Sequence, residues 1–478
     1  MAYKVGDRSQ QTYLPPTIDD YVGPQDPVRV YDAFVDALDF KRLGISTEPV
    51  GSADSYYPPI LLKLIIYGYS YGIRSSRKLE RACYHNLSFQ WLLGGQKPDY
   101  RTIARFRSDN RGPIKKILKQ CVRICMDLDL IEGNIFFTDG SKFRANASIN
   151  KTWTKERCEK QLKKIDEQID QLIEECEAID QTEASEGSMV KLQQKIEEKE
   201  QLVKKIQGTL AKVENDTKGY INTTDPESVK SQGRQGVHAS YNVQMTTDNK
   251  HGLIVQAQAV SHNNDLNQLK EQVDQAMENT GLKPKNVCAD AGYHSPRDVA
   301  QIDSSIQVVI PNKKQAQEAK GSESCGPFDK ERFTYDKDTD EYVCPVGNRL
   351  RRVSTKPSGP NKDYLSYHAC GCKDCQHFNI CTQCPNGRQI SRSIYEETSD
   401  ALAKIYDSPP GQEIYSQRKE KSELPFGHIK NNLGAGQFML RGKSKTDAEV
   451  SILSTCFNLA RMMTILGVPV LMARLNGT

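Results

Sequence analysis

Apolar and polar residues alternate with different periods along the chain, and the first part has a helical period. Residues 28–50 and 58–125 carry apolar residues at helical spacing. In "PPILLKLIIYGYSYG" they occur nearly all round, which predicts a buried helix that begins at its prolines. Asp99 precedes "RTIARFR" as an N-cap residue would. We therefore predict an all-α N-terminal domain over residues 1–130.

Residues 155–216 have a heptad-like period. Apolar residues step by three and four along two runs that "QTEASEGS" separates. The seam positions are Leu162, Ile165, Ile169, Leu172, Cys176 and Ile179, then Leu192, Ile196, Lys199, Val203, Ile206, Leu210 and Val213. The pattern predicts an antiparallel helical hairpin inserted over residues 151–218. Because it is too charged for a core, we expect it to serve in dimerisation or in reaching along DNA.

Short apolar runs on both sides of this hairpin predict strands. The first is "NIFFTDGSKF", and "ASYNVQMTTDNKHGLIVQAQAVS" reads as two strands with a turn. Then follow a helix, the strand "NVCADAGYHS", a second helix and the strand "IQVVIP". The order β-β-β-α-β-α-β is that of the RNase H-like fold. We therefore expect an α/β catalytic domain over residues 131–478, with a mixed five-stranded sheet.

Two aspartates follow strands that this order places side by side. Asp139 and Asp290 are expected to finish the first and fourth strands at one edge of the sheet. A single Asp-Gly pair such as Asp139–Gly140 is a common turn, but two adjacent carboxylates repel unless a divalent cation lies between them. Mg²⁺ or Mn²⁺ suits oxygen ligands. The sequence thus predicts a metal site there.

A two-metal site for phosphoryl transfer usually has a third carboxylate. The stretch "EIYSQRKEKSELPFGHIKNNLGAGQFMLRG", predicted to be largely helical, offers Glu423, with Glu420 and Glu413 as rivals on spacing alone. Arg418 and Lys430 on the same stretch are candidates for contacts with phosphates.

Charge is strongly segregated although the net charge is only +4. Residues 61–124 hold fourteen Lys and Arg against three acids, whereas residues 155–216 hold eleven bases against sixteen acids. The basic block indicates either a polyanion partner or a solvated helix face. Arg101, Arg105 and Arg107 fall close to one face of a predicted helix, which favours a DNA-binding domain of helix-turn-helix type.

Six of the fourteen cysteines crowd together between the fifth strand and the Glu423 stretch, in a Cys-rich insertion over residues 312–393. Their spacing suits a zinc site of four thiolates. We favour Cys344, Cys372, Cys375 and Cys381, with Cys370, Cys384 and His377 as possible substitutes. The alternative is a set of unligated buried thiols.

Neither a signal segment nor an apolar run of roughly 18 residues is present, so we expect a cytoplasmic protein without a membrane partner.

Seven blocks of the chain, in order and over nearly its whole length, resemble those of bacterial insertion-sequence DDE transposases, closest to the group numbered eleven-eighty-two. They are "YYPPILLKLIIYGYSYGIRSSRKLE", "PDYRTIARFR", "TDGSKFRANAS", "YNVQ", "CADAGYHS", "KSELPFGHIKNNLGAGQFMLRG" and "FNLARMM". The resemblance implies a metal-binding triad of Asp139, Asp290 and Glu423. The family's signature falls on Tyr415, Arg418, Glu423 and Lys430. One departure is Ser422, where an apolar residue is commoner.

We therefore predict a DNA transposase that binds terminal inverted repeats and performs Mg²⁺-dependent cleavage and strand transfer as a homodimer. A structural zinc is expected in the Cys-rich insertion, because the related transposases carry comparable cysteines there. Lys142, Arg144, Arg418 and Lys430 would position the DNA backbone. The alternatives are a stand-alone metal-dependent nuclease and a zinc-containing DNA-binding regulator with a dead catalytic core.

Overall fold

The structure is a computed structural model. The residues that it describes are 17–48, 56–180, 186–233, 236–319, 321, 326–353, 357, 363–369 and 371–477.

The chain begins with helices, as the apolar pattern predicts. Pro58 and Pro59 occupy the first turn of the third helix, and the Asp99 side chain accepts a hydrogen bond from the Thr102 backbone N–H at 2.6 Å. The helices are α1 (Val28–Asp36), α2 (Phe40–Leu43), α3 (Pro58–Ser70), α4 (Ser76–His85), α5 (Leu87–Leu92), α6 (Tyr100–Asp109), α7 (Arg111–Lys115) and α8 (Ile117–Asp127).

A mixed sheet and the helical hairpin follow. In chain order the elements are β1 (Ile135–Arg144), β2 (Thr152–Thr154), α9 (Lys155–Asp180), α10 (Glu186–Asn215), β3 (Tyr220–Asn222), β4 (Val229–Gly233), β5 (Gly236–Asp248), β6 (Ile254–Val260), α11 (Leu269–Thr280), β7 (Asn286–Ala289), α12 (Pro296–Val299) and β8 (Gln307–Val309).

The main sheet has β5, β1, β7 and β8 side by side, with β4 and β6 both pairing with β5. Strand β1 is antiparallel to β5 and parallel to β7, and β7 is parallel to β8. The first strand and the strand before Asp290 are therefore neighbours, as predicted. The sheet has six described strands where the sequence pattern predicted five, because the short β4 also pairs with the first residues of β5.

Strand β1 does not finish at Asp139, as the sequence pattern had suggested. It continues to Arg144, because residues 140–144 keep their antiparallel pairing with β5 after β7 has ended at Ala289. Asp139 thus lies within a long strand, where that strand runs past its shorter neighbour.

The helical hairpin consists of α9 and α10, and the two-stranded sheet β2–β3 closes its base. Cys158, Ile165 and Ile206 are buried between its helices. Lys199, the polar seam residue, donates a hydrogen bond to Gln168 at 2.5 Å. The first five residues of the "QTEASEGS" break, and the side chain of Ile179, lie outside the described residues.

The Cys-rich insertion forms a second sheet, and helices complete the chain. It begins with the helix α13 (Lys313–Glu318). Five strands follow: β9 (Thr334–Asp336), β10 (Glu341–Val343), β11 (Arg349–Arg352), β12 (Tyr364–Ala369) and β13 (Gln389–Ser393). They form an antiparallel sheet in the order β13-β12-β11-β10-β9. The last helices are α14 (Glu396–Asp407), α15 (Pro409–Gly427), a π-helical turn (His428–Asn432), α16 (Lys443–Leu466) and α17 (Val468–Leu475).

One apolar core joins the N-terminal helices, the main sheet and α16. Helix α16 is buried along most of its length and packs against α3, α8 and β6. In the described part of the chain no single helix could cross a membrane by length and apolarity; α16 and α17 would meet that test only as a pair, bent by 112°.

Candidate active site

The two aspartates are brought together by the register of β1 and β7. Thr138 pairs with Ala289, and Asp139 and Asp290 are the next residues on the two chains. Asp290 turns the chain out of β7, and its Oδ1 accepts the Gly292 backbone N–H at 2.8 Å. The two carboxyl groups are close enough that Asp290 raises the pKa of Asp139. This juxtaposition was expected from the strand order.

Helix α15 supplies the other neighbours of Asp139. The Asp139 Oδ2 atom lies 3.1 Å from Arg418 Nη1 and accepts a hydrogen bond from Ser422 Oγ at 3.2 Å, while its Oδ1 accepts the Gly140 N–H at 2.8 Å. Burial raises the pKa of Asp139 to about 6, the Arg418 guanidinium opposes this rise, and Asp290 adds to it. The surroundings of Asp139 therefore disfavour its charged form, although Arg418 lies against it.

Glu423 lies on the other side of α15. It is exposed and lines an open groove with Ser416, Lys419 and Glu420. Successive residues of a helix point about 100° apart. Because Ser422 faces Asp139, Glu423 is turned outward. Glu413 is exposed as well.

A third carboxyl group, which the sequence pattern did not single out, stands near the turn that carries Asp290 and against Gly140, the residue after Asp139. Asp265, in the loop before α11, accepts hydrogen bonds at Oδ1 from Asn242 Nδ2 at 2.6 Å and from Gln244 Nε2 at 2.7 Å. A Cβ added at Gly140 would overlap that Oδ1 atom. The sequence held one signal for a polar partner at this place. Asn242 and Gln244 are polar residues two apart in β5, a strand that is buried on both faces.

The cationic residues predicted around the site lie at its rim. Lys430 Nζ donates to Ser141 Oγ at 2.5 Å and sits 4.7 Å from the Phe143 ring centre. Lys142 Nζ donates to the Asn263 carbonyl at 2.6 Å. Burial lowers the pKa of both lysines.

Arg144 and Tyr415 are the other two residues predicted to contact DNA near the aspartates. Arg144 contacts the ring of His238, with Nη2 3.1 Å from Nε2. The Tyr415 ring is half-buried, packs edge-on against Tyr406 and lies 5.7 Å from the Arg418 guanidinium. The guanidinium of Arg418 is therefore held between Tyr415 and Asp139.

The three arginines of α6 do not share a face. Arg101 and Arg105 are exposed, whereas Arg107 is buried and donates hydrogen bonds to the Tyr69 hydroxyl and the Arg74 carbonyl. Residues four apart on a helix lie together, but a residue two further on lies on the opposite side. Arg107 therefore joins α6 to its neighbours.

The four cysteines favoured as zinc ligands surround one small cavity. Cys344, Cys372, Cys375 and Cys381 line a space of about 20 Å³ that His377 also lines, while Cys384 lies outside its lining. Burial raises the pKa of Cys381, and the other three favoured thiols raise it further. The Asn348 N–H donates to Cys344 Sγ at 3.1 Å. Cys370 lies outside the described residues.

As the side chains lie, no group of three His, Cys, Asp or Glu residues in the described ranges could hold a metal ion. At the aspartates, the paired Asp139 carboxylate would have to release Arg418 before binding one. At the cysteines, the thiols would have to converge on the cavity.

Two comparisons with known families identify the chain. The family "Transposase domain (DUF772)" matches residues 16–109, and the family "Transposase DDE domain" matches residues 343–463. The chain is an insertion-sequence DDE transposase. This confirms the family predicted from the seven sequence blocks, whereas the group within the family stays a prediction. No curated protein and no solved structure matches the chain.

The family identity indicates the reaction type and the macromolecule on which the protein acts. Transposases act on DNA, and DDE transposases carry out metal-dependent DNA cleavage and strand transfer, normally with Mg²⁺ or Mn²⁺. The second matched segment contains α15, so that Arg418 and Glu423 belong to the DDE domain.

Proposed function

We propose that this transposase, a member of the group numbered eleven-eighty-two, binds the terminal inverted repeats of its element, cuts the DNA there and joins the freed 3′ ends to target DNA. Its catalytic residues would be Asp139, Asp290 and Glu423 on an RNase H-like core. The observation that carries this proposal is the register of β1 and β7, which sets Asp139 and Asp290 beside each other. The strand order, with a parallel β1–β7–β8 and an antiparallel β5, supports the core assignment.

The donor set fits a hard divalent cation. Asp139 and Asp290 offer carboxylate oxygens, the ligands that Mg²⁺ and Mn²⁺ prefer, and their mutual repulsion would be relieved by a cation between them. A pair of Mg²⁺ ions held there would activate the attacking water or 3′-hydroxyl and stabilise the leaving oxygen.

The chain's own cations would orient the DNA backbone. Once released from Asp139, Arg418 can form two parallel hydrogen bonds to a phosphate, and its stacking on Tyr415 limits where the guanidinium points. Lys430, already at Ser141, and the nearby Lys142 and Arg144 would hold adjacent phosphates. Tyr415 would then serve as a support for Arg418.

For Glu423 to join the aspartates, α15 must turn by about one residue, roughly 100°. Two features support such a turn. Pro425 lacks a backbone N–H for the helix ladder, and a π-helical turn follows immediately at His428–Asn432. Ser422 would then leave its place at Asp139 to Glu423.

Replacement of Glu423 tests this assignment. We expect Glu423→Gln to lower Mg²⁺-dependent end cleavage by about 10²-fold or more, because a ligand oxygen is lost. Glu420→Gln, on the same exposed face of α15, is the matched control and should cut at the wild-type rate. Single-turnover cleavage of a labelled transposon end measures both. Equal rates for the two variants would remove Glu423 from the site.

DNA recognition is proposed for the N-terminal helices. Arg101 and Arg105 are exposed on α6 and would contact phosphates or base edges of the terminal repeats, whereas the buried Arg107 would hold α6 in place.

The helical hairpin is proposed as the contact of a homodimer. Ile173, Val190 and Leu202 are apolar residues exposed on α9 and α10. Two transposon ends must meet in one complex, which a dimer provides.

We further propose a structural zinc bound by Cys344, Cys372, Cys375 and Cys381. The four thiols line one cavity, and the Asn348 N–H donated to Cys344 is the kind of hydrogen bond that stabilises a metal-bound thiolate. The apolar cluster of the second sheet is small, so a metal would add the cross-link that it needs.

Metal content tests the zinc proposal. We expect about one zinc per purified chain and a large loss of zinc in Cys375→Ser, since four thiolates make a closed structural site. Cys384→Ser is the matched control, because Cys384 does not line the cavity. Elemental analysis after dialysis gives the stoichiometry. Wild-type protein without zinc, or equal loss in both variants, would contradict this ligand set.

A further inference from the structure

The Asp265 carboxyl group is held more firmly than is needed to anchor its loop. Both of its described side-chain hydrogen bonds converge on Oδ1, where Asn242 and Gln244 donate their amide N–H groups. Both amide residues are fully buried in β5. The carboxyl group is therefore fixed from behind by one oxygen, which leaves Oδ2 to another partner.

Oδ2 lies near the turn that carries Asp290. A Cβ added at Gly292 would lie 3.5 Å from Asp265 Oδ2 and 2.9 Å from Asp290 Oδ1. Two carboxylate oxygens from different elements thus lie within 3.5 Å of one point. Glycine at residue 292 keeps that point free of side-chain atoms.

A second oxygen in this cluster lacks a partner. Asn242 has no exposed surface, and its Nδ2 donates to Asp265 Oδ1, so its amide lies against the carboxyl group. Among the described residues its Oδ1 has no hydrogen-bond partner. A buried amide oxygen without a donor costs free energy, and a cation or its bound water would satisfy it.

The support behind Asp265 continues into the core. Gln244, which donates to Asp265, accepts a hydrogen bond from the hydroxyl of the buried Tyr293. Ligand carboxylates in metal sites are typically held by such hydrogen bonds from behind. A residue that merely ties down a surface loop has no need of a buried chain of this kind.

We propose that Asp265 is a ligand of the catalytic divalent cation, binding through Oδ2 the ion that Asp290 binds, with Asn242 and Gln244 as positioning residues. This rests on the proposed metal site at Asp139 and Asp290. It adds Asp265, in the loop before α11, to the proposed pair of aspartates on β1 and after β7. As the side chains lie, the three carboxyl groups form no metal site, so they would have to converge on the ion. Glu423 would join them when α15 turns.

Binding of Mn²⁺ alone to the full-length transposase tests the proposal. In Asp265→Asn the side-chain oxygen can still accept both amide hydrogen bonds, while an NH₂ group replaces Oδ2. We expect Mn²⁺ affinity to fall by about 10-fold or more, at an unchanged melting temperature. Asp274→Asn, an exposed aspartate of α11 paired with Lys270, is the control and should bind Mn²⁺ as the wild type does. Electron paramagnetic resonance of free Mn²⁺ measures the affinity.

Gly292→Ala is the second variant and removes no charge. Its added methyl group would fill the point between the two oxygens, so it too should weaken Mn²⁺ binding. If Asp265→Asn is unstable, Mn²⁺ binding by Gly292→Ala is the test of the role of Asp265. Wild-type affinity in a folded Asp265→Asn protein, or in Gly292→Ala if the former does not fold, would overturn the proposal.

Asp139→Asn separates this result from the proposed function. If Asp139→Asn loses Mn²⁺ binding and cleavage while Asp265→Asn keeps both, the role of Asp265 fails and the site at Asp139 and Asp290 stands. If Asp139→Asn keeps both, the proposed site fails.

Discussion

An Asp139→Asn transposase is expected to bind transposon-end DNA but to cut it on the order of 10³-fold more slowly than the wild type, because losing a ligand oxygen removes several kcal/mol of transition-state stabilisation. Asp139 sits beside Asp290 through the β1–β7 register, and the proposed cation lies between them. Cleavage of labelled ends and joining of pre-cut ends should both fall.

The same substitution should not weaken the folded protein at neutral pH. Burial and Asp290 raise the pKa of Asp139 from 3.8 to about 6, with Arg418 opposing this. A raised pKa means that folding favours the protonated form. The ionised carboxylate therefore costs wild-type stability increasingly as pH rises from about 4 to about 6, and fully above that range. Asn avoids this cost, so metal-free Asp139→Asn should melt at or above the wild-type temperature at pH 7.5.

The control for this prediction is Asp303→Asn, an exposed aspartate paired with Lys283. It should leave cleavage unchanged. Wild-type cleavage by Asp139→Asn would exclude Asp139 from the site. A loss of cleavage accompanied by a large fall in melting temperature would point to misfolding.

Replacing Arg74 by Met is expected to lower the free energy of unfolding by about 3–5 kcal/mol, since it leaves a buried charge without its partner. Arg74 Nη1 lies 3.0 Å from Glu449 Oε1, and the Glu449 side chain has no exposed surface. Arg74 also donates to the carbonyls of Gly434 and Gln437. Glu449 in turn accepts the Met439 backbone N–H. The pair thus joins α16, the turn between α3 and α4, and the loop after the π-helical turn.

Arg42→Met is the matched control. Arg42 pairs with Asp39 at 3.1 Å, but both side chains are largely exposed, so we expect a change of less than about 1 kcal/mol. Urea unfolding followed by circular dichroism measures both variants. Adding Glu449→Gln to Arg74→Met should recover part of the loss, because the neutral amide oxygen can still accept the backbone N–H. Equal midpoints for Arg74→Met and Arg42→Met would contradict the argument.

Much of the fold is encoded in local patterns. The spacing of apolar residues predicted the N-terminal helices and both helices of the hairpin, and the short apolar runs predicted five of the six strands of the main sheet in order. Strand order alone then implied that Asp139 and Asp290 are neighbours. The ordered motifs identified the transposase family, which the two matched domains confirm.

Which side chains face one another could not be obtained in this way. Arg107 looked like a companion of Arg101 and Arg105, yet it is buried against Tyr69. Likewise, Ser422 and not Glu423 faces Asp139, although the two residues are adjacent. A helix register that differs by one residue reverses such an assignment, and only the packing of α6 and α15 on their neighbours decides it.

The sequence by itself determined the helices, the strand order, the family and the pair of strand-borne aspartates, because each depends on backbone periodicity or on motifs that are contiguous in the chain. Only the tertiary structure decided that β1 runs on past Asp139, that Arg418 occupies its carboxylate, and that Asp265 stands near the turn that carries Asp290. The physical reason is that these contacts join residues far apart in sequence, and their geometry is set by strand register and by the packing of buried faces.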